Sequence, residues 1–353
     1  MKRIRDYGVT IGSLETGEKN KITDVKGVKV GHVTLKHGEV NTGVTAILPH
    51  EGNIFQEKVF GAVHVINGFG KTIGAMQIEE LGTIETPIML TNTLSVGIVS
   101  QGLVRYMLSI NSDIGIKTGT INPIVGECND GFLNDIRGLH VKEDHVFESI
   151  NNASMEFSEG AVGAGTGMSC FGYKGGIGSS SRKVKIKDEE YTLGTLVLSN
   201  FGIKEDFILN NQDIKTMLKE NKQDINENNK NNHRDRLEKG SIIIVLATDA
   251  PLLPRQLKRV ARRSVVGMTR LGSYLGNGSG DIVIAFSTSN KINHYEENVT
   301  TEIKVINENY IDFFFRAAAE AVEESILNSL ILSDTMVGYN GNKVESLLES
   351  LNL

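Results

Sequence analysis

The sequence predicts a mixed fold of strands and helices, α/β or α+β. Two observations carry this. Short apolar runs rich in β-branched residues recur along the 353-residue chain, and between them apolar residues take up the three-or-four spacing of helices buried on one side. The overall usage, 39% hydrophobic and 23% charged, is that of an ordinary globular protein.

In chain order, strands are predicted at residues 43–48, 62–66, 193–198, 241–247 and 281–286. The last two are apolar on both faces, as central strands are. Leu257, Val260, Ala261, Val265 and Met268 predict one helix, with Pro251 and Pro254 just ahead of it, where proline is tolerated. Ile311, Phe314, Phe315, Ala318, Val322, Ile326 and Leu330 predict another near the C-terminus. Residues 219–239 break the pattern: Ile225 and Leu237 are their strong apolar residues, and Asn221, Asn226, Asn228, Asn229, Asn231 and Asn232 crowd the stretch. It is expected to be a solvated excursion, an insertion rather than a linker, because strand-like segments flank it closely. Length alone allows one large domain or two of about 150 residues.

Composition excludes several classes. Glycine is 38 of 353 residues, while proline is only 5, so this is neither a Gly/Pro linker nor a collagen. The glycines must mark tight turns or close backbone approaches. A formal net charge of −6 leaves no global basic field for nucleic acid. No apolar run is expected to span a membrane, and Met1–Tyr7 has no apolar region behind it, so a cytoplasmic protein is expected. Cys128 and Cys170 form no C-x-x-C pair, and the eight histidines are scattered, so no disulfide framework, metal or cofactor is expected.

Several motifs dissolve on inspection. Gly70-Lys71-Thr72 ends like a P-loop, but Val65 stands where the first glycine belongs. Ser180-x-x-Lys183 and Lys117-Thr118-Gly119 echo serine β-lactamases in reversed order and without S-D-N. The basic helix carrying Arg255, Lys258, Arg259, Arg262, Arg263 and Arg270 is read as a face that pairs with acidic neighbours.

Two glycine concentrations remain. Residues 159–178 hold eight glycines but miss the G-x-G-x-x-G register. They form either a strand pair with glycine corners or a pocket wall with Glu159 at its lip, where a carboxylate could hold a substrate ammonium group. The second concentration is Gly276-Asn277-Gly278-Ser279-Gly280-Asp281, which runs into a strand. It reads as a turn, since Asn-Gly favours positive φ. It also offers chemistry: Ser279 can attack the carbonyl of Gly278, cut the chain by an N-to-O acyl shift and hydrolysis, and leave a free amine able to activate its own hydroxyl.

These segments, together with Asn129-Asp-Gly-Phe-Leu-Asn-Asp-Ile136, Lys174-Gly-Gly-Ile-Gly178, Ala247-Thr-Asp-Ala-Pro-Leu252 and Gln256-Leu-Lys-Arg259, resemble the L-aminopeptidase/D-esterase (D-aminopeptidase, β-aminopeptidase) family of self-processing serine hydrolases. The blocks keep the family's order through essentially the whole chain. The resemblance implies a single α+β domain over 1–353, a four-layer αββα sandwich like that of N-terminal-nucleophile hydrolases but with its own topology. It implies self-cleavage between Gly278 and Ser279 into a long subunit, 1–278, and a short one, 279–353. It further implies removal of N-terminal amino acids from small peptides, amides or esters without metal or cofactor, in a homotetramer. Ser279 matches the nucleophile, Glu159 a pocket carboxylate for the substrate amine, Asn200 a position near the oxyanion, and Glu323 a glutamate supporting the nucleophile's amine. Some relatives place a serine two residues before that glutamate, where Ala321 stands here. Glu323 lies about 40° from Ala319 around the helix, at the border of the buried stripe, whereas Glu320 and Glu324 are expected in solvent.

Two rivals are kept. The glutamate N-acetyltransferase of arginine synthesis is similar in architecture and self-cleavage, but its nucleophile is a threonine, which Ser279 argues against. The other is an uncleaved, non-enzymatic oligomer that binds a small molecule in the glycine-rich pocket.

Overall fold

The computed structural model describes residues 2–209 and 237–351. The expected insertion at 219–239 lies outside the described residues up to position 236, and Lys239 already opens a strand.

Among the described residues two large sheets form. The first joins β1 (Lys29–His37), β2 (Val40–Leu48), β5 (Ile88–Asn92) and β6 (Ile124–Cys128) in the order β1-β2-β5-β6. The second joins β3 (Glu57–Gly68), β4 (Thr83–Ile84), β9 (Gly176–Ile186), β10 (Glu189–Asn200), β11 (Lys239–Thr248) and β12 (Gly278–Asn293) in the order β4-β3-β12-β11-β10-β9. A small hairpin, β7 (Ser169–Cys170) with β8 (Tyr173–Lys174), closes the glycine-rich stretch. All five predicted strands are present.

Strand alternation builds the layers. On β11, Ile243, Val245 and Ala247 pack into the cluster between the sheets, while Ile242, Ile244 and Leu246 pack into the cluster beneath the helices. On β12, Ile282, Ile284 and Phe286 oppose Val283 and Ala285 in the same way. Both strands are therefore buried on two faces, as their continuous apolar runs require. A short helix, α1 (Ala75–Leu81), lies near β3. Helices α2 (Val96–Ile110) and α3 (Glu143–Asn151) cover the first sheet, and α4 (Pro254–Ala261), α5 (Ser264–Arg270) and α6 (Ile311–Ile331) cover the second. The result is a helix–sheet–sheet–helix sandwich.

Two expectations need correction. The helix predicted over 257–268 is two, α4 and α5, broken at Arg262 and Arg263. The break lets α5 lie against α6 through Gly267, whose missing Cβ would stand 2.7 Å from the Glu323 nitrogen and 2.9 Å from the Ala319 oxygen. Thr93–Ile110 is long and apolar enough to cross a membrane by length and composition alone. Here it is a layer helix that buries Val96, Val99, Leu103 and Met107 at helical spacing against the sheet and α3. The second correction is that Glu320 and Glu324 are buried, not solvated. Both pair with Arg182, whose side chain is itself fully buried, and Arg5 adds a second cation to Glu324. Charges out of water demand such partners.

The basic helix pairs as expected: Arg255 and Arg259 meet Glu308, Lys258 meets Glu79, and Arg263 stacks 3.8 Å above the Phe315 ring centroid.

A ladder of hydroxyls docks α6 on the second sheet. Ser180 Oγ donates to the Ala321 carbonyl at 2.6 Å, Ser325 Oγ meets Thr195 Oγ1 at 2.5 Å, and Ser329 Oγ meets Ser199 Oγ at 2.6 Å. Gly178 makes the contact possible, because a Cβ there would stand 2.0 Å from the Ser325 oxygen. Gly178→Ala is therefore expected to lower the unfolding free energy by about 1–3 kcal/mol in a denaturant titration. Gly97→Ala is the control: its Cβ would meet nothing within 4 Å, and alanine is expected to be neutral or to stabilise α2 by up to about 1 kcal/mol.

Candidate active site

The chain reaches β12 through a short loop after α5, and one buried carboxylate shapes that loop. Glu238 accepts hydrogen bonds from Ser273 Oγ (2.5 Å), the Tyr274 N–H (3.0 Å) and the Gly276 N–H (3.2 Å), and its own N–H donates to the Tyr274 hydroxyl. Gly276 must be glycine, since a Cβ would stand 2.3 Å from the Glu238 carbonyl oxygen. Leu275 takes a φ of 62°, a left-handed conformation costly for leucine. The Ser279 N–H then closes a four-residue turn on the Gly276 carbonyl at 2.9 Å. The Gly278–Ser279 peptide bond thus lies in a closed turn that follows the left-handed Leu275 and enters β12.

Ser279 and Asp281 are two residues apart on a strand, so their side chains share a face. Ser279 Oγ donates to Asp281 Oδ1 at 2.6 Å, and both residues are buried. Asp281 Oδ2 is buried without a hydrogen-bond partner. Burial pushes the Asp281 carboxyl up to about 6; the Ser279 hydrogen bond opposes this, and nearby Glu238 adds to it. The Ser279 carbonyl is gripped from β3 by the Phe69 N–H (3.3 Å) and by Asn67 Nδ2, which also reaches the Gly276 and Asn277 carbonyls.

A second carboxylate stands beside this backbone. Gly280 and Gly70 pack together so closely that a Cβ on Gly280 would lie 2.9 Å from the Gly70 Cα. A Cβ on Gly70 would in turn lie 3.7 Å from Glu127 Oε1. Glu127 is buried on β6 and accepts from the Lys71 N–H (2.9 Å) and the Thr93 hydroxyl. A carboxylate has about four acceptor positions, so capacity remains for a ligand donor. Next to it the Cys128 thiol is held well above its usual range by burial, with Glu127 and Asp281 adding to the shift, and burial pushes Cys170 up to about 12. Neither cysteine is poised as a nucleophile.

Asn200 ends β10 in the row Asn200–Ser241–Gly280, two strands or about 10 Å from β12. Its Oδ1 accepts from the Ser169 N–H (2.9 Å) and its Nδ2 donates to the Asn129 carbonyl (3.0 Å), leaving one amide hydrogen uncommitted in these bonds.

Two expected site residues lie elsewhere. Glu159 accepts from Arg3 Nη2 (3.1 Å) and the Ser179 N–H (2.7 Å) at the edge strand β9. Ser179 shares a row with Leu196, Val245 and Ile284, so it is three strands across and five residues along from Ser279, more than about 20 Å. Its glycine neighbours serve close packing: a Cβ on Gly160 would stand 2.0 Å from the Leu332 oxygen. Glu323 is hydrogen-bonded to Arg270 Nη1 at 3.0 Å beside the Val9–Gly12 segment. From Ser329 to Ser325, α6 moves from the row of Asp281 to the row of Ala285, away from Ser279, and Glu323 lies further along the same path. The structure brings neither carboxylate into contact with Ser279. Both are held by arginines because buried carboxylates need cations.

Sequence reasoning passed over four residues that the structure gathers here. Asp281 stood two positions after Ser279, and a period of two already places it on the same face. Glu127 is the lone charge in an apolar strand, a signal that a buried carboxylate has a task. Asn67 and Glu238 carried no such mark, because only the pairing of β3 and β11 with β12 brings them in.

The comparisons agree with one another. The model of peptidase family S58 matches residues 20–344. The chain is 39% identical to beta-peptidyl aminopeptidase BapA of Sphingosinicella microcystinivorans over 98% of this chain and 89% of that protein. It superimposes on the PH0078 protein from Pyrococcus horikoshii OT3 with a TM-score of 0.91 at 52% identity, covering 99% of this chain and 98% of the other. It also superimposes on the L-aminopeptidase D-Ala-esterase/amidase of Ochrobactrum anthropi, described as a new variant among the Ntn hydrolase fold, with a TM-score of 0.86 at 34% identity and 99% of each chain covered.

Proposed function

The chain belongs to peptidase family S58, and from the turn that presents Ser279 we propose that this residue is the nucleophile of both self-cleavage and catalysis. The protein is a hydrolase of the aminopeptidase type, built on a variant of the Ntn fold. One observation carries the assignment of the nucleophile. Ser279 follows a closed turn, its hydroxyl is 2.6 Å from a carboxylate, and its carbonyl is clamped from β3.

In this reading the bond between Gly278 and Ser279 breaks and frees the Ser279 amine. That amine takes the hydroxyl proton as Oγ attacks the substrate carbonyl, the acyl group transfers to Oγ, the leaving amine takes the proton, and water then releases the acid. Asn200 supplies its remaining amide hydrogen at this end of the sheet for the oxyanion, while both hydrogens of Asn67 hold the turn. Glu127 replaces Glu159 as the carboxylate that receives the substrate ammonium group, because it lies one glycine from the nucleophile's backbone. The substrates are small peptides, amides or esters with a free N-terminal amine. A homotetramer in the cytoplasm belongs to the same proposal.

Side-by-side assays test it. The protein is expected to release nitroaniline from an α- or β-aminoacyl nitroanilide, to lose at least about 100-fold in kcat/KM when that amine is acetylated, and to show no acetyl transfer to glutamate. Acetyl transfer without anilide hydrolysis would sink the aminopeptidase assignment. Equal hydrolysis of both anilides would sink the amine-binding role of Glu127.

A further inference from the structure

We propose that Asp281 is the general base of the chain's own maturation, taking the Ser279 hydroxyl proton and returning it to the nitrogen that leaves Gly278. This rests on Ser279 as the self-cleaving nucleophile and names the group that drives the step.

Geometry singles out Asp281. It is the carboxylate that touches the reacting oxygen, at 2.6 Å from Ser279 Oγ, within the reach proton transfer requires. Its second oxygen is buried with no hydrogen-bond partner. Glu159 and Glu323 are paired with arginines and Glu238 is spent on the loop. A buried, half-satisfied carboxylate costs stability and calls for a use. Around it, the turn closed by the Ser279 N–H and the grip of Asn67 hold the backbone on both sides of the Gly278 carbonyl.

The step balances. Asp281 Oδ1 takes the proton as Ser279 Oγ bonds to the Gly278 carbonyl carbon. The C–N bond between Gly278 and Ser279 breaks, and the nitrogen receives that proton from Asp281, leaving an ester. Water adds to the ester carbon, Oγ departs as a hydroxyl, and the products are a Gly278 carboxylate and a free Ser279 amine.

The charged neighbour that acts on Asp281 is Glu238 ahead of β11, and Asp281 in turn acts across the sheet on the Cys128 thiol of β6, beside Glu127. Burial raises the Asp281 carboxyl, the Ser279 hydrogen bond opposes this, Glu238 adds to it and the Ile242 backbone lowers it, so it titrates at about 6, mainly ionised at neutral pH and protonated below. The base is then lost as pH falls.

The test follows the full chain by intact mass during cell-free synthesis, with wild type, Ser279→Ala, Asp281→Asn and Asp281→Glu in parallel. Asp281→Asn is expected to self-cleave at least about 100-fold more slowly, with partial recovery in Asp281→Glu. The wild-type rate should climb as pH rises toward about 6 and level off above it. Asp281→Asn processing at the wild-type rate, or a flat wild-type pH profile, overturns the proposal. If Asp281→Asn fails to fold by circular dichroism, the wild-type profile decides. A wild type that stays whole at every pH overturns the underlying reading of Ser279, and this one with it.

Discussion

Ser279→Ala is expected to remain one uncut chain and to lose at least about 10⁴-fold in kcat/KM toward aminoacyl anilides, with its fold intact. The magnitude follows from what a nucleophile supplies: without it the site retains only binding and oxyanion stabilisation. The side chain removed is small and buried, and its hydroxyl bonds to Asp281 within its own strand. Circular dichroism should therefore stay close to wild type while activity disappears, and the unfolding free energy should fall by no more than about 1–3 kcal/mol for the hydrogen bond that Asp281 loses. Residual activity within tenfold of wild type would place the nucleophile elsewhere.

The second large effect concerns the substrate's amine. Glu127→Gln keeps the shape of the side chain and removes its charge. It is expected to lower kcat/KM for free-amine substrates by about 30- to 1000-fold, the range for losing one partner of a buried charge pair. Glu159→Gln is the comparison, because the glycine-rich stretch and the resemblance point to Glu159 and the geometry does not. It removes the charge that pairs with Arg3 and should leave kcat/KM within about threefold of wild type. The reverse pattern, with Glu159 critical and Glu127 dispensable, would return the amine site to the glycine-rich stretch.

Much of this was legible in the sequence. The five apolar runs are strands because β-branched side chains on a two-sided sheet have no other place to bury, and 241–247 and 281–286 became β11 and β12 at its centre. Ser279 was legible because Gly278, Ser279 and the strand after them form a local motif, and Asp281 is reached by the same local rule. Glu323 was placed by resemblance and Glu159 by resemblance and its glycine-rich surroundings, and residue type alone does not say which buried carboxylate faces the nucleophile. That depends on strand order: β9 lies three strands from β12, and α6 runs away from Ser279 toward its own N-terminus. Glu127 needed the other sheet, since only the stacking of β6 on β11, with Gly126 against Ile243, brings it to the mouth of the sandwich. Long-range pairings of this kind leave little local trace.

One measurement bears most directly on the account: the intact mass of the purified wild-type protein under native conditions and after denaturation. The account predicts that denaturation yields two fragments, of 278 and 75 residues, the second beginning at Ser279 by N-terminal sequencing. Under native conditions the two remain together, held by the pairing of β12 between β3 and β11. A fully active protein that is a single chain of 353 residues would contradict it.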